Sequence, residues 1–164
     1  MAFFGWLEML PFSLWIRESG SLWAFPMFLF AHTLGMSLVA GGSTFISFAL
    51  LGLWPKGGAI KPLERLYPIM WWGFGINLFT GVGLFCADAT TRAVNLDFGV
   101  KLVFVAAGVV LMVRTRKTVF GNPALDSGPV PANARTLAYA SLVCWFGAIV
   151  AGRLIAYVGP VAGL

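Results

Sequence analysis

Residues 23–53 decide the fold: Trp23-Ala-Phe-Pro-Met-Phe-Leu-Phe-Ala-His-Thr-Leu-Gly-Met-Ser-Leu-Val-Ala-Gly-Gly-Ser-Thr-Phe-Ile-Ser-Phe-Ala-Leu-Leu-Gly-Leu53. The stretch carries no Asp, Glu, Lys or Arg, and it is longer than the roughly 20 residues that cross a bilayer as a helix. It contains His32, the only histidine in the chain. We therefore expect a membrane-spanning helix at about residues 22–53, around which the rest of the chain packs.

Three further apolar stretches predict membrane helices at about residues 65–87, 98–114 and 135–158. Residues 3–16 are apolar but too short to span and are interrupted by Pro11, so we expect an interfacial helix there. The chain is 59% hydrophobic and 10% charged, whereas soluble domains carry about 25% charged residues. The prediction is an all-α fold: one integral membrane four-helix bundle over residues 1–164, with a short interfacial N-terminal helix.

Loop charges predict the topology. Basic residues concentrate in loops 54–66 and 114–135, whereas the other loops carry more acidic than basic residues. The positive-inside rule places these two loops in the cytoplasm and both termini outside, which in a bacterial inner membrane is the periplasm. This explanation also accounts for the net charge of +5, so we expect no nucleic-acid partner.

Local signals predict the helix ends. Ser21 is a candidate N-cap for the first membrane helix, and Asp97 is one for the third. Residues 118–134 are rich in Gly, Pro, Asn and Ser and predict a loop. The two cysteines lie inside apolar segments without CxxC spacing, and we interpret them as small buried hydrophobes.

Ionisable side chains inside the predicted spans are the candidate site. Such groups are costly in a membrane and usually face the bundle interior with a partner or a ligand. At about 1.5 Å per residue, His32, Lys101 and Arg153 all lie in the outer half of the bundle. Asn77 lies near the middle of the second helix. Interhelical hydrogen bonding for His32 and Asn77, and snorkelling or pairing with Asp88 and Asp97 for the cations, are the structural alternatives.

Two cofactors suit these residues. Haem b needs an axial ligand for its iron, and His32 is the candidate metal ligand. Lys101 and Arg153 lie at a suitable level in the bundle to bind the haem propionates. A second axial ligand is missing unless Met70, Met112 or the histidine of another copy provides it. A quinone is the alternative, with His32 and an amide near its carbonyls and aromatic residues around its ring. Copper bound by His32, Met27, Met36 and Cys86 is a weaker hypothesis.

The motifs of familiar enzymes are missing from the sequence. It has no HExxH, GxSxG or Walker A motif and no paired carboxylates within the predicted spans. It also lacks the matched broken helices typical of secondary transporters. We therefore expect a chain that is not an enzyme on its own.

The order of several motifs resembles a family of small four-helix bacterial inner-membrane proteins. The motifs are Trp23-x-x-Pro26, His32-x-x-Gly35, Tyr67-Pro68-x-x-Trp71, Thr80-Gly-x-Gly-Leu-Phe85 and Phe98-x-x-Lys101. The resemblance implies functional roles for His32, Trp71 and Lys101 but no reaction. The acidic residue that often precedes the histidine in that pattern is missing from Met27–Phe30. Copper-resistance and cytochrome-b-type membrane domains are a more distant likeness, by analogy only.

Together these observations predict a non-catalytic membrane subunit in an electron-transfer context. It would bind haem b or quinone near the periplasmic side through a candidate set whose members are His32, Lys101, Arg153, Trp71 and Asn77. The alternative is a cofactor-free structural subunit that binds lipids and partner helices. In either case we expect a homo-oligomer or a component of a larger membrane complex.

Overall fold

The computed structural model describes residues 2–53, 60–122, 125, 131 and 133–158, and these ranges contain helices and turns but no strand. Four stretches are long and apolar enough to cross a membrane: Phe25–Leu50, Lys61–Cys86, Leu96–Phe120 and Ala134–Ile155. This confirms the predicted all-α bundle of a multi-pass membrane protein. In chain order the α-helices are α1 (Ala2–Glu8), α2 (Pro11–Glu18), α3 (Phe25–Leu50), α4 (Leu66–Cys86), α5 (Ala89–Ala93), α6 (Leu96–Thr115) and α7 (Ala134–Val158).

Both predicted N-caps are wrong. The helix α3 begins at Phe25, next to Pro26, and Ser21 lies in the preceding turn, where its hydroxyl accepts a hydrogen bond from the Trp23 N–H at 3.3 Å. Asn95, not Asp97, caps α6, because its side-chain oxygen accepts from the Phe98 N–H at 3.0 Å. Either residue type suits this position, so composition alone did not separate them.

The helix α3 also ends earlier than expected. It stops at Leu50, and Gly52 follows in the left-handed conformation with φ of 76°. The Leu53 N–H then donates to the Phe48 carbonyl at 2.9 Å, which closes the helix end. Residues 51–53 are therefore a turn rather than the last part of the helix.

The N-terminal segment forms two short helices where one was predicted. Pro11 separates them, because it begins α2 and lacks the N–H that would continue α1. The Glu8 carboxylate accepts hydrogen bonds from the N–H and the hydroxyl of Thr90, at 2.7 and 2.6 Å. Thr90 belongs to α5, a short helix in a stretch that we expected to be a loop. These bonds attach α1 to one end of the bundle, which we call the capped end; it consists of α1, α2 and α5.

Two tightly packed helix pairs build the bundle. In the first pair, α3 and α4, a Cβ on Gly35 would lie 2.6 Å from the Gly73 carbonyl oxygen, so the two backbones touch there. In the second pair, α6 and α7, the Trp145 ring covers Gly108, and the Phe104 ring covers Gly147. Contacts between α3 and α7 join the pairs. Among the described elements, α6 has no comparably extensive backbone contact with α3 or α4.

The end opposite the capped end is the basic end, which includes the turns Lys61–Arg65 and Arg116–Phe120. The α6 helix does not stop near residue 114, because a π-helical turn continues it to Phe120, inside the segment predicted as a loop. Phe120 is 1% exposed and packs edge-on against the buried Tyr67 ring. The Lys61 ammonium donates to the Phe120 carbonyl at 2.9 Å, and the Arg116 guanidinium lies over the Tyr67 ring. These contacts extend α6 by more than one turn.

Large apolar side chains cover much of the outside of the bundle. Trp72, Phe79, Val103 and Phe146 are each more than 60% exposed. Such a surface suits the hydrocarbon region of a bilayer, where apolar side chains meet lipid rather than water. In the half of the bundle toward the basic end, the described core consists mainly of aliphatic, aromatic and hydroxyl-bearing residues.

Candidate functional site

The His32 imidazole lies between α3 and α4 in the half of the bundle toward the capped end. Its Nδ1 is 3.1 Å from both the Asn77 carbonyl oxygen and the Thr80 hydroxyl oxygen. In the other direction, the Asn77 side-chain amide donates to the His32 carbonyl at 2.8 Å. Reciprocal bonds between His32 and Asn77 therefore join α3 to α4.

These partners assign the tautomer of His32. The Thr80 hydroxyl donates its hydrogen to the Ile76 carbonyl at 2.7 Å, so its oxygen is left to accept. The Asn77 carbonyl is also an acceptor, and Nδ1 must therefore carry the proton. The neutral ring then presents the lone pair of Nε2 on its opposite side.

The Lys101 ammonium occupies the side of the ring on which that lone pair lies. Its Nζ is 3.4 Å from His32 Nε2, so a lysine from α6 donates to a histidine from α3. The Lys101 stem runs along Gly152 of α7, where a Cβ would be 3.5 Å from the lysine Cδ. Lys101 forms no salt bridge within 4.0 Å among the described residues. A cation in the bundle thus faces a neutral imidazole rather than a carboxylate.

Lys101 does not pair with Asp88 or Asp97, which was the alternative predicted from the sequence. Asp88 forms its ion pair with Arg92, at 3.0 Å and one turn along the chain. Asp88 directly precedes α5 and Arg92 lies in it, so this pair is at the capped end. Lys101 instead reaches across the space between α6 and α3, where the helices themselves are not extensively packed.

Small residues allow His32 to lie this close to α4. A Cβ on Gly81 would be 3.0 Å from His32 Cε1, so the ring lies directly against that glycine. One turn further along α3, Gly35 touches the α4 backbone near Asn77. Because the backbones approach so closely, the short side chains of Asn77 and Thr80 can reach the imidazole.

The structure does not bring all five predicted site residues together. His32, Lys101 and Asn77 form one connected network. Trp71 lies on the outer face of α4, 39% exposed, and stacks edge-on with Phe74. Arg153 is exposed on α7, adjacent in sequence to Gly152, which touches Lys101. Trp71 therefore points away from the network, and the roles predicted for Trp71 and Arg153 stay predictions.

The residues do not fit a haem iron in this arrangement. Nδ1 of His32 is anchored as an axial ligand requires, but Nε2, which would have to bind the iron, faces the Lys101 ammonium. An iron about 2 Å from Nε2 would occupy the place of that ammonium. Met70 and Met112, the candidates for the second ligand, lie together in the half of the bundle toward the basic end, around a cavity that does not include His32.

Other metal sites receive no support from side-chain clustering. Among the described residues, no group of three or more His, Cys, Asp or Glu side chains lies close enough to hold a metal ion. The copper hypothesis drew on methionines as well as on such side chains. It stays a prediction.

Thr80 is the network member whose role sequence reasoning missed. It was not among the predicted site residues, although its oxygen is a partner of His32. The signal was present, because Asn77 and Thr80 stand three residues apart and so lie on one helix face. If that face of α4 packs against α3, Asn77 and Thr80 are the nearest polar side chains to the single histidine of α3.

Comparisons with known proteins add no relative to this description. The chain matches no family of proteins, no curated protein and no solved structure. The resemblance to small bacterial inner-membrane proteins therefore stays a prediction, and the function has to be argued from the network itself.

Proposed function

We propose that the chain is a non-catalytic membrane subunit in an electron-transfer assembly and that it holds a quinone headgroup at Lys101 and His32. The observation that carries this proposal is the Lys101 ammonium, which has a neutral imidazole as its close polar partner and no carboxylate within 4.0 Å among the described residues. Ionisable groups inside a bundle usually serve a ligand or a pathway. A quinone carbonyl oxygen carries no full negative charge, yet it can accept a hydrogen bond from such a cation.

The ammonium has the donors that this role requires. It carries three N–H groups, of which His32 Nε2 accepts one. The remaining two can donate to a carbonyl oxygen. A bound quinone supplies two-electron, two-proton redox chemistry. The chain's own contribution is to orient the ring, because Lys101 can donate a hydrogen bond to its carbonyl oxygen while His32 Nε2 accepts from the same ammonium and holds it in place.

The arrangement of helices favours a ligand that dissolves in the bilayer. The α4 and α6 backbones are not extensively packed on each other, and aromatic side chains bridge them near the capped end, where the Phe85 and Phe98 rings stack with centroids 5.4 Å apart. Lys101 extends into the space between the two helix pairs. An apolar ring entering sideways from the lipid would reach the ammonium without crossing the headgroup region.

The loop charges support an orientation for this site. We infer that the capped end, with α1, α2 and α5, faces the periplasm of a bacterial inner membrane, since the basic end carries most of the exposed cations. The two termini then lie on the periplasmic side. The exposed apolar surface of the bundle accommodates lipids and gives room for a second copy or for the other subunits of an electron-transfer assembly.

A cofactor-free structural subunit is the second candidate, and one observation favours it. His32 packs against α4, with Nδ1 bonded and its ring against Gly81, so on that side it resembles interhelical glue rather than the wall of a cavity. In that case Lys101 only caps the imidazole. The two candidates differ in whether a ligand competes for the ammonium.

Titration with a short-chain quinone tests the proposal. A ligand present at 100 times its Kd stabilises the folded state by about 2.7 kcal/mol, which raises the melting temperature. We expect this rise in the wild-type protein in detergent and its loss in Lys101→Met, which keeps the apolar stem. Lys117→Met, an exposed lysine at the basic end, is the matched control and should retain the rise. An equal rise in all three proteins would contradict the proposed site.

A reduced-minus-oxidised absorption spectrum of the purified protein tests the haem hypothesis separately. The contact between Lys101 and His32 predicts no Soret or alpha band that depends on His32. A band that disappears in His32→Ala, with the fold intact, would show that the ammonium moves aside for an iron.

A further inference from the structure

A small cavity lies in the half of the bundle toward the basic end, where α3, α4, α6 and α7 meet. Its wall includes five hydroxyl-bearing residues, which are Ser43, Ser47, Tyr67, Thr115 and Ser141. All five are less than 9% exposed. A group of buried hydroxyls drawn from four helices is unusual in a bundle whose other core residues are mostly apolar, and it calls for a partner.

One of these hydroxyls lacks a protein partner. Ser43 Oγ is buried and forms no hydrogen bond with any described protein group. Its neighbour Ser47 donates to the Ser43 carbonyl at 2.8 Å, so that hydroxyl has already used its hydrogen. A buried hydroxyl without a partner destabilises the folded state. The Ser43 hydroxyl points to a ligand with hydrogen-bonding groups of its own.

The size and chemistry of the cavity define that ligand. Its volume is about 10 Å³, close to the minimum for one water molecule, and a buried water needs two to four polar partners. The lining contains no Asp, Glu, Lys, Arg or His, so nothing there would neutralise an ion. The two thioethers in the wall, Met70 and Met112, are weak acceptors.

We infer that this cavity holds one ordered water molecule, bonded to Ser43 Oγ and to at least one other hydroxyl of the wall. The water joins helices of both pairs in this half of the bundle. The His32 network does the same toward the capped end. Buried side chains of Val39 and Ala40, on the intervening stretch of α3, keep the two polar regions apart. The inference does not depend on the proposed quinone site.

Radiolytic labelling tests for the water directly. Brief X-ray exposure makes hydroxyl radicals from water, including bound water, and methionine beside it is converted to the sulfoxide. Met70 and Met112 are only 1% and 3% exposed, so bulk solvent does not reach them. We expect several-fold more labelling at these two residues than at Trp145, which is equally buried and equally oxidisable but does not line the cavity.

Trp145 is a sharp control because its indole N–H also lacks a protein partner. If a buried polar group without a partner were enough to attract water, Trp145 would be labelled as strongly as Met70 and Met112. Labelling of both methionines but not of Trp145 supports the inference. Methionines as unreactive as Trp145, in protein whose exposed Met9 is fully labelled, would overturn it.

The sign of a stability change provides a second test. If Ser43 bonds a water, Ser43→Ala loses that bond and lowers the melting temperature. If the cavity is dry, the same change removes an unpaired buried hydroxyl and raises it. Ser13→Ala is the matched control, because Ser13 Oγ on α2 is buried and unpartnered but lies away from this cavity. A rise for Ser43→Ala equal to that for Ser13→Ala would contradict the water.

Discussion

Gly35→Ala is the substitution that tests the close contact between α3 and α4. The added Cβ would lie 2.6 Å from the Gly73 carbonyl oxygen and 2.8 Å from the Asn77 amide nitrogen. Both are backbone atoms, so no side-chain rotation relieves the contact. An ordinary separation begins at 3.4 Å, and the two helices must therefore move apart by about 0.8 Å at this point.

This displacement also affects the His32 network. The Asn77 amide donates to the His32 carbonyl at 2.8 Å, and a shift of about 0.8 Å would stretch that distance to about 3.6 Å, past the limit of a hydrogen bond. Overpacking costs about 1–3 kcal/mol, and a lost interhelical bond in a membrane adds about 0.6 kcal/mol. The greater helix preference of alanine offsets about 0.5–1 kcal/mol of this cost, so we expect Gly35→Ala to lower the free energy of unfolding by about 1–3 kcal/mol.

Reversible unfolding in mixed detergent micelles, followed by circular dichroism, measures this change. Gly41→Ala on α3 and Gly75→Ala on α4 are matched controls, since a Cβ on either glycine meets no atom within 4 Å. Alanine favours a helix interior by about 0.5–1 kcal/mol over glycine, so the controls should be neutral or more stable. A Gly35→Ala protein as stable as these controls would refute the proposed backbone contact.

Three further predictions concern other parts of the fold. The Thr90 side chain and N–H, followed by Arg17, hold the pKa of Glu8 below its usual range, so the docking of α1 is stable above that range and weakens as pH falls through the lowered pKa. The protection factors of residues 2–18, which compare each amide with its intrinsic exchange rate at the same pH, should therefore fall in strong acid, and Glu8→Gln should already show low protection at neutral pH; protection factors that do not change with pH would contradict this account. Gly147→Ala should displace the Phe104 ring and lower the melting temperature, because a Cβ there would lie 2.8 Å from a ring carbon, and a melting temperature equal to that of Gly41→Ala would refute the contact. In a background without the two native cysteines, a membrane-impermeant thiol reagent added to intact cells should label Gly20→Cys but not Lys117→Cys, and the reverse pattern would invert the proposed topology.

The sequence predicted the fold well because the bilayer restricts what an apolar segment can do. A run such as residues 98–113 has a single charged residue, Lys101, and must satisfy its backbone internally, so it becomes a helix. Helix ends were less predictable, since they depend on packing. The π-helical turn at residues 116–120 forms where Phe120 packs against Tyr67, and its partner lies more than 50 residues away in the chain.

The candidate site was only partly predictable. An ionisable side chain in an apolar run identifies His32 and Lys101 from the sequence alone, and the structure brings them within 3.4 Å. Which way each side chain points depends on how two helix pairs pack, and no local pattern encodes that. Trp71 was chosen by its motif but lies on the outside of α4. The bond between Thr80 and His32 depends on the glycine contact that brings the His32 ring against α4, and the predicted site residues did not include Thr80.

The quinone content of the purified protein tests the central claim most directly. Wild-type protein, Lys101→Met and the control Lys117→Met would be purified from the same membranes in mild detergent, extracted with organic solvent and compared by mass spectrometry. The account predicts near-stoichiometric quinone in wild-type protein and in Lys117→Met, with its loss from a folded Lys101→Met protein. Equal quinone in all three, or none in any of them, would contradict a quinone site at Lys101 and leave the His32 network as a purely structural link between the helices.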